Sequence, residues 1–72
     1  MEIKIGGIYR HYKNGQSYHV LGLGKHSETM EDLVIYEPMY ESEVKFWARP
    51  VKMFLEDVTF EGKKTPRFIF FK

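Results

Sequence analysis

The chain has 72 residues, enough for one small domain, and a chain of that length buries only ~60% of the surface its unfolded form exposes. Hydrophobic residues make up 43% and charged residues 29%, which excludes intrinsic disorder and is ordinary for a soluble globular protein. Eleven basic against ten acidic residues give a formal net charge of +1, so no strong global field draws in nucleic acid or an anionic membrane, and the lack of cysteine excludes disulfides and thiolate metal sites.

The N-terminus, Met1-Glu2-Ile3-Lys4-Ile5, has no apolar stretch of signal-peptide length, and no run approaches the ~18 apolar residues of a membrane span. A cytoplasmic location and no membrane partner are therefore expected. After Gly6-Gly7, residues 8–13 read as a first strand. Asn14-Gly15 reads as a type I′ hairpin turn into a second strand over 16–24. That turn pairs Tyr12 with Ser17, His11 with Tyr18, Arg10 with His19 and Tyr9 with Val20. Gly22 and Gly24 interrupt the second strand and mark a bulge or sharp bend. Residues 25–32 are polar and without period, a loop of about eight residues. Leu33-Val34-Ile35-Tyr36 restarts a strand that runs to about Tyr40. Glu41-Ser42-Glu43 is a turn, and residues 44–49 form a fourth strand.

Pro50 suits the first turn of a helix, and Val51, Phe54, Leu55 and Val58 fall at helical spacing. One to two turns are expected there, with Lys52 and Glu56 paired at i, i+4. Glu61-Gly62 is a turn, Lys63-Lys64-Thr65 a solvated stretch, and Pro66 leads into a last strand over 67–71. Five short antiparallel strands with a helical turn before the last predict an all-β domain spanning 1–72. The expected architecture is a small SH3-like barrel, with the OB-fold as runner-up. Phe46, Phe54, Phe68 and Phe70, with Val20, Leu21, Leu33 and Ile35, are the expected core, which gives Phe46→Ala a cost of ~3–5 kcal/mol.

Three histidines, His11, His19 and His26, raise the question of a zinc triad. In the hairpin register His11 and His19 project to opposite faces, so neither a shared metal nor any cofactor is expected. His26-Ser27-Glu28 holds the residue types of a base, a nucleophile and a carboxylate. Adjacent side chains diverge, however, and no nucleophile elbow surrounds them, so no catalytic residue is assigned. Ser27 and Thr29 hydroxyls bonded to nearby backbone N–H groups would order this loop.

Trp47 and Arg49 share one face of a strand, as do Arg10 and Tyr12. With Tyr36, Tyr40 and His26 they suggest an aromatic-lined groove in which Arg49 meets a carboxylate or phosphate and Trp47 offers a stacking face. Lys63, Lys64 and Arg67 form the one dense basic cluster, which is the basis of an alternative reading as a binder of RNA or single-stranded nucleic acid. A hydrolase or transferase using His26 with Glu28 is a further alternative. In a purely structural reading, Arg49 pairs with Glu28 or Glu31 and orders the loop.

The chain resembles the prokaryotic domain of unknown function 1653 family. The resemblance lies in Tyr9-Arg10-His11-Tyr12-Lys13, Tyr18-His19-Val20-Leu21-Gly22, His26-Ser27-Glu28-Thr29, Val34-Ile35-Tyr36, Trp47-Ala48-Arg49-Pro50, Met53-Phe54 and Pro66-Arg67-Phe68. It implies a small cytoplasmic β-barrel module without established activity. It also implies that His26, Ser27, Glu28, Thr29, Trp47 and Arg49 belong to one shared site. The functional expectation is a monomeric, non-enzymatic binding module for a peptide, nucleotide or protein ligand. Its groove is lined by Tyr12, Tyr36, Trp47 and Arg49, with residues 26–29 as one rim.

Overall fold

The computed structural model describes residues 3–72; Met1 and Glu2, the start of the N-terminal stretch read above, lie outside it. The described residues are mainly β, with seven strands in two antiparallel sheets and one short helix. In order these are β1 (Ile8–His11), β2 (Ser17–Lys25), β3 (Asp32–Pro38), β4 (Trp47–Pro50), α1 (Val51–Phe54), β5 (Asp57–Phe60), β6 (Lys63–Pro66) and β7 (Phe68–Phe70). Five strands form one sheet in the order β4-β3-β2-β1-β7, and β5 with β6 forms a separate ribbon. Among the described residues β4 and β7 remain the edges of that sheet, so the expected barrel does not close.

The first hairpin differs from expectation by two residues. Tyr9 pairs with Tyr18 and Arg10 with Ser17, and the His11 N–H donates to the Gln16 carbonyl at 3.0 Å. The loop is therefore 12–15, not the Asn14-Gly15 pair. Of Asn14 and Gly15 only Gly15 has positive φ, at 68°, whereas a type I′ turn needs two such residues. Asn14 acts instead through its side chain, Oδ1 accepting from the Gln16 N–H at 2.8 Å. A two-residue slip preserves side-chain parity, so the same residues face the core. The two-residue turn with both positions at positive φ occurs elsewhere, at Glu61 (52°) and Gly62 (78°), between β5 and β6.

The bulge expected near Gly22 lies between Val20, which pairs with Tyr36, and Gly22, which pairs with Ile35. Leu21 is the extra residue and is turned outward. In β3 it is Val34 and Tyr36 that are buried, not Leu33 and Ile35. Both sets are apolar enough to face inward, and the pairing of Tyr36 with the fully buried Val20 decides between them. Residues directly opposite in an antiparallel ladder share a face. Pairing of Val34 with Arg49 and of Tyr36 with Trp47 therefore sets Arg49 and Trp47 on the core side of the sheet, at its edge.

The core comprises Tyr9, Tyr18, Val20, Val34, Tyr36, Val51, Phe54 and Phe68. The helix is a single turn whose two buried residues, Val51 and Phe54, cap this cluster. Phe54 stacks flat on Phe68, with ring centroids 4.2 Å apart and planes at 6°, and takes the edges of Tyr9 and Tyr36 at 5.2 and 5.5 Å. Besides Leu33 and Ile35, three expected core residues lie outside it: Phe46 (63% exposed), Phe70 (49%) and Leu21 (38%). Phe46 precedes β4, which starts at Trp47 and not at Val44, so the ladder does not turn it inward.

The helix also ends earlier than its periodicity predicts. Val58 belongs to β5, and Glu56 pairs with Arg67 at 3.3 Å instead of with Lys52. Residues 63–65, expected as a solvated loop, form most of β6. β6 is thus a strand that the sequence reading did not expect, and the expected last strand over 67–71 corresponds to β7.

Candidate functional site

The inner face of the sheet is filled by aromatic rings up to its β4 edge, and there the rings stop short of closing over. Tyr18, Tyr36, Phe68 and Trp47 wall an open depression of about 120 Å³. Its rim carries three nitrogen-bearing side chains, His11, Asn14 and Arg49. Tyr18 and Phe68 each set an edge against Tyr36, at 5.5 Å in both cases. Trp47, at 44% exposure, is the open wall.

Arg49 arises from the short β4 and reaches across the mouth. Its Nε donates to the Tyr36 hydroxyl at 3.2 Å, and its guanidinium carbon lies 5.6 Å from the centre of the Phe68 ring. Among the described residues it forms no ion pair, with Glu28 and Glu31 included. His11 stands with its ring edge-on to Phe68 at 5.1 Å. Its Nδ1 accepts the Lys13 N–H at 3.2 Å. Burial, followed by the charges of Arg49, Arg67 and Lys13, holds the His11 pKa below the usual 6.5, so at neutral pH the imidazole is uncharged with its proton on Nε2.

At the far wall the Tyr18 and Tyr40 hydroxyls are 2.9 Å apart. Burial first, then that hydrogen bond, pushes the Tyr18 phenol up to about 12, and the Asn14 side chain acts in the opposite direction.

Of the residues singled out from sequence, the depression thus brings together Tyr36, Trp47 and Arg49. Tyr12 does not line the depression; its ring lies against that of His11 at 4.9 Å and edge-to-face with Phe60 of β5 at 5.4 Å. Arg10 covers Phe71 at 4.1 Å. His26, Ser27, Glu28 and Thr29 occupy the β2–β3 loop and do not line the depression.

In that loop the His26 ring serves the backbone. Its Nδ1 accepts the N–H groups of Glu28 at 3.1 Å and Thr29 at 3.3 Å. Thr29 Oγ1 accepts the Glu31 N–H at 3.2 Å, as expected of this hydroxyl. The Lys25–Asp32 ion pair at 2.7 Å closes the loop's base.

Lys63 and Lys64 lie on the β5–β6 ribbon. Arg67 is engaged elsewhere, donating to the Met53 carbonyl and to Glu56. His19, on the outer face, bonds Glu37 at 3.0 Å, and no group of three potential metal ligands occurs among the described residues. No helix among them is long and apolar enough to cross a membrane.

His11, Asn14, Tyr18 and Phe68 complete the depression but are not among the site residues expected from sequence. His11 and Tyr18 fall directly opposite one another in the expected register; what that reading lacked was the partnership of β1 with β7, which brings Phe68 opposite His11.

The family model for Protein of unknown function (DUF1653) matches residues 7–70. The chain belongs to this family. It is also similar to a crystal structure of a DUF1653 protein from Bordetella bronchiseptica, with 33% sequence identity and a TM-score of 0.84 over 94% of this chain and 86% of that one. No curated protein matches the chain. The resemblance read from the sequence phrases is therefore shown over nearly the whole chain, and membership in DUF1653 assigns no specific function.

Proposed function

We propose that this DUF1653 protein is a small prokaryotic, cytoplasmic, non-enzymatic binding module, and that it receives a short extended or anionic ligand at the depression beside β4. One observation carries this reading. Arg49 spans the mouth of an aromatic pocket and, among the described residues, is held by a tyrosine hydroxyl and not by a carboxylate. A guanidinium whose charge is left unbalanced, yet whose plane is fixed, is poised to take an anion in bidentate fashion. A half-exposed Trp47 beside it supplies a stacking face. The aromatic walls do not suit a cationic guest, because the protein's own guanidinium already lies over Phe68.

The nucleic-acid alternative loses support from Arg67, whose guanidinium is committed to Glu56 and Met53. The His26/Glu28 enzyme alternative loses support because His26 Nδ1 is occupied by backbone donors.

The test is a ¹⁵N amide-shift titration against pools of short peptides, nucleotides, short RNAs and single-stranded DNAs at low and moderate salt. Shifts should centre on Trp47, Arg49 and Tyr36 and be lost in Trp47→Ala and Arg49→Ala proteins that keep the parent spectrum elsewhere. Shifts confined to Lys63 and Lys64 with a steep salt response would transfer the proposal to nucleic acid, and silence in every pool would overturn it.

A further inference from the structure

The polar atoms around the depression share one property that its composition alone does not reveal. Each side chain there that could accept a hydrogen bond already makes at least one hydrogen bond within the fold. Asn14 Oδ1 takes the Gln16 N–H at 2.8 Å, which leaves the amide NH₂ as its remaining polar group. His11 Nδ1 takes the Lys13 N–H, so the second ring nitrogen, Nε2, carries the proton. The Tyr36 oxygen takes Arg49 Nε–H, and the Tyr18 and Tyr40 hydroxyls are paired. Arg49 and Trp47 have donors only. Among the described residues no carboxylate lines the site.

Resting on the binding-module reading, we propose that the site recognises a carboxylate monoanion, which meets the free edge of the Arg49 guanidinium and the N–H donors of His11, Trp47 and Asn14. An acceptor-only guest suits a lining whose free hydrogen-bonding groups are mostly N–H donors, and a carboxylate presents acceptors only. Charge selects the carboxylate among anions. The rim holds one permanent cation, Arg49, because His11 is neutral and Arg67 is paired with Glu56. A carboxylate matches that single charge, whereas a phosphate dianion would leave a second charge uncompensated against aromatic walls. Size agrees with charge: about 120 Å³ admits one protruding group, well below the ~300–1,000 Å³ of sites that engulf a drug-sized ligand. The carboxylate can arrive on a free small acid or on an acidic side chain of a peptide.

The experiment follows the Arg49 Nε–H and Trp47 indole N–H signals of the full chain at constant ionic strength. Four probes are used: acetate, the capped tripeptide acetyl-Gly-Glu-Gly-amide, its Gln counterpart, and inorganic phosphate. Both carboxylate probes should move the two signals, with the Gln peptide at least ten-fold weaker, phosphate weaker than acetate, and Arg49→Gln abolishing the response. A Glu peptide binding more tightly than acetate identifies a peptide source, and equal affinities a free acid; either supports the carboxylate site. If the Gln peptide matches the Glu peptide, or phosphate exceeds acetate, the carboxylate assignment is overturned while the binding module stands. If these four probes and the peptide and nucleic-acid pools all leave both signals unmoved, both readings fall.

Discussion

The Tyr36 hydroxyl accepts a hydrogen bond from Arg49 Nε at 3.2 Å, while the Tyr36 ring is 97% removed from solvent as part of the core. One residue thus ties the hydrophobic interior to the cationic rim. Tyr36→Phe keeps the ring and deletes the tether. Its stability cost should be that of a single partly exposed hydrogen bond, about 0.5–1.5 kcal/mol in urea unfolding. Ligand affinity should fall by more than that, since the guanidinium then has to be ordered at the moment of binding. Equal losses in stability and affinity would show that the tether does not position Arg49.

Core packing makes a sharper contrast between two phenylalanines. Phe54 is 1% exposed and stacked on Phe68, so Phe54→Ala should cost about 3–5 kcal/mol. A domain of this size has little more than that to lose. The variant should be unfolded at room temperature by near-UV circular dichroism. Phe46, at 63% exposure, should tolerate alanine within about 0.5 kcal/mol, and a midpoint shift comparable to that of Phe54→Ala would refute the assignment of the core.

The contrast also shows what the sequence could and could not convey. Strand existence was legible for β1 to β3 because β-branched and aromatic runs are punctuated by Gly and Asn, and the Leu21 bulge was legible from Gly22. The core face of β3 was not, since Leu33-Val34-Ile35-Tyr36 is apolar on both parities and only pairing with Val20 and Trp47 chooses between them. Val58 satisfied helical spacing, yet β5 claims it by pairing with Thr65, a contact between residues that local periodicity cannot see. The expected core holds no tyrosine, whereas Tyr9, Tyr18 and Tyr36 are buried in it. Here their hydroxyls reach partners at the edge of the cluster: Tyr9 accepts the Lys4 N–H at 3.1 Å, and Tyr18 meets Tyr40. Strand parity put Trp47 with Arg49 on one face, and residue type, not parity, added Tyr36 to them. His11 and Phe68 depended on the long-range β1–β7 pairing.

His26 offers a test of the loop. With Nδ1 accepting two backbone N–H groups, His26→Ala leaves both donors to solvent. The amides of Glu28 and Thr29 should exchange at least several-fold faster, with a global stability loss of about 1 kcal/mol or less. Ser27→Ala and Glu28→Ala should leave both exchange and ligand affinity at parent values. A clear loss of affinity in either, with the fold intact, would return residues 26–29 to the binding site.

The state of His11 fixes how the protein answers to acid. Its neutral form is favoured in the fold by burial and by the cations Arg49, Arg67 and Lys13, and protonating Nδ1 would set two N–H donors, Lys13's and its own, against each other. The folded pKa therefore lies below the unfolded value of about 6.5. Between those two values the unfolded chain binds more protons than the folded one, so stability is complete above pH 6.5 and declines as pH falls toward the folded pKa. His11→Gln should flatten this part of the pH profile in urea unfolding. A carboxylate seated between Arg49 and His11 acts oppositely, because an anion favours imidazolium and raises the His11 pKa. Acetate affinity at constant free-acetate concentration should accordingly strengthen from pH 7.5 to pH 6, the ¹H shifts of the His11 ring should titrate at higher pH in its presence, and neither effect should survive in Arg49→Gln. A His11 titration that acetate leaves unmoved would separate the imidazole from the anion and remove it from the donor set.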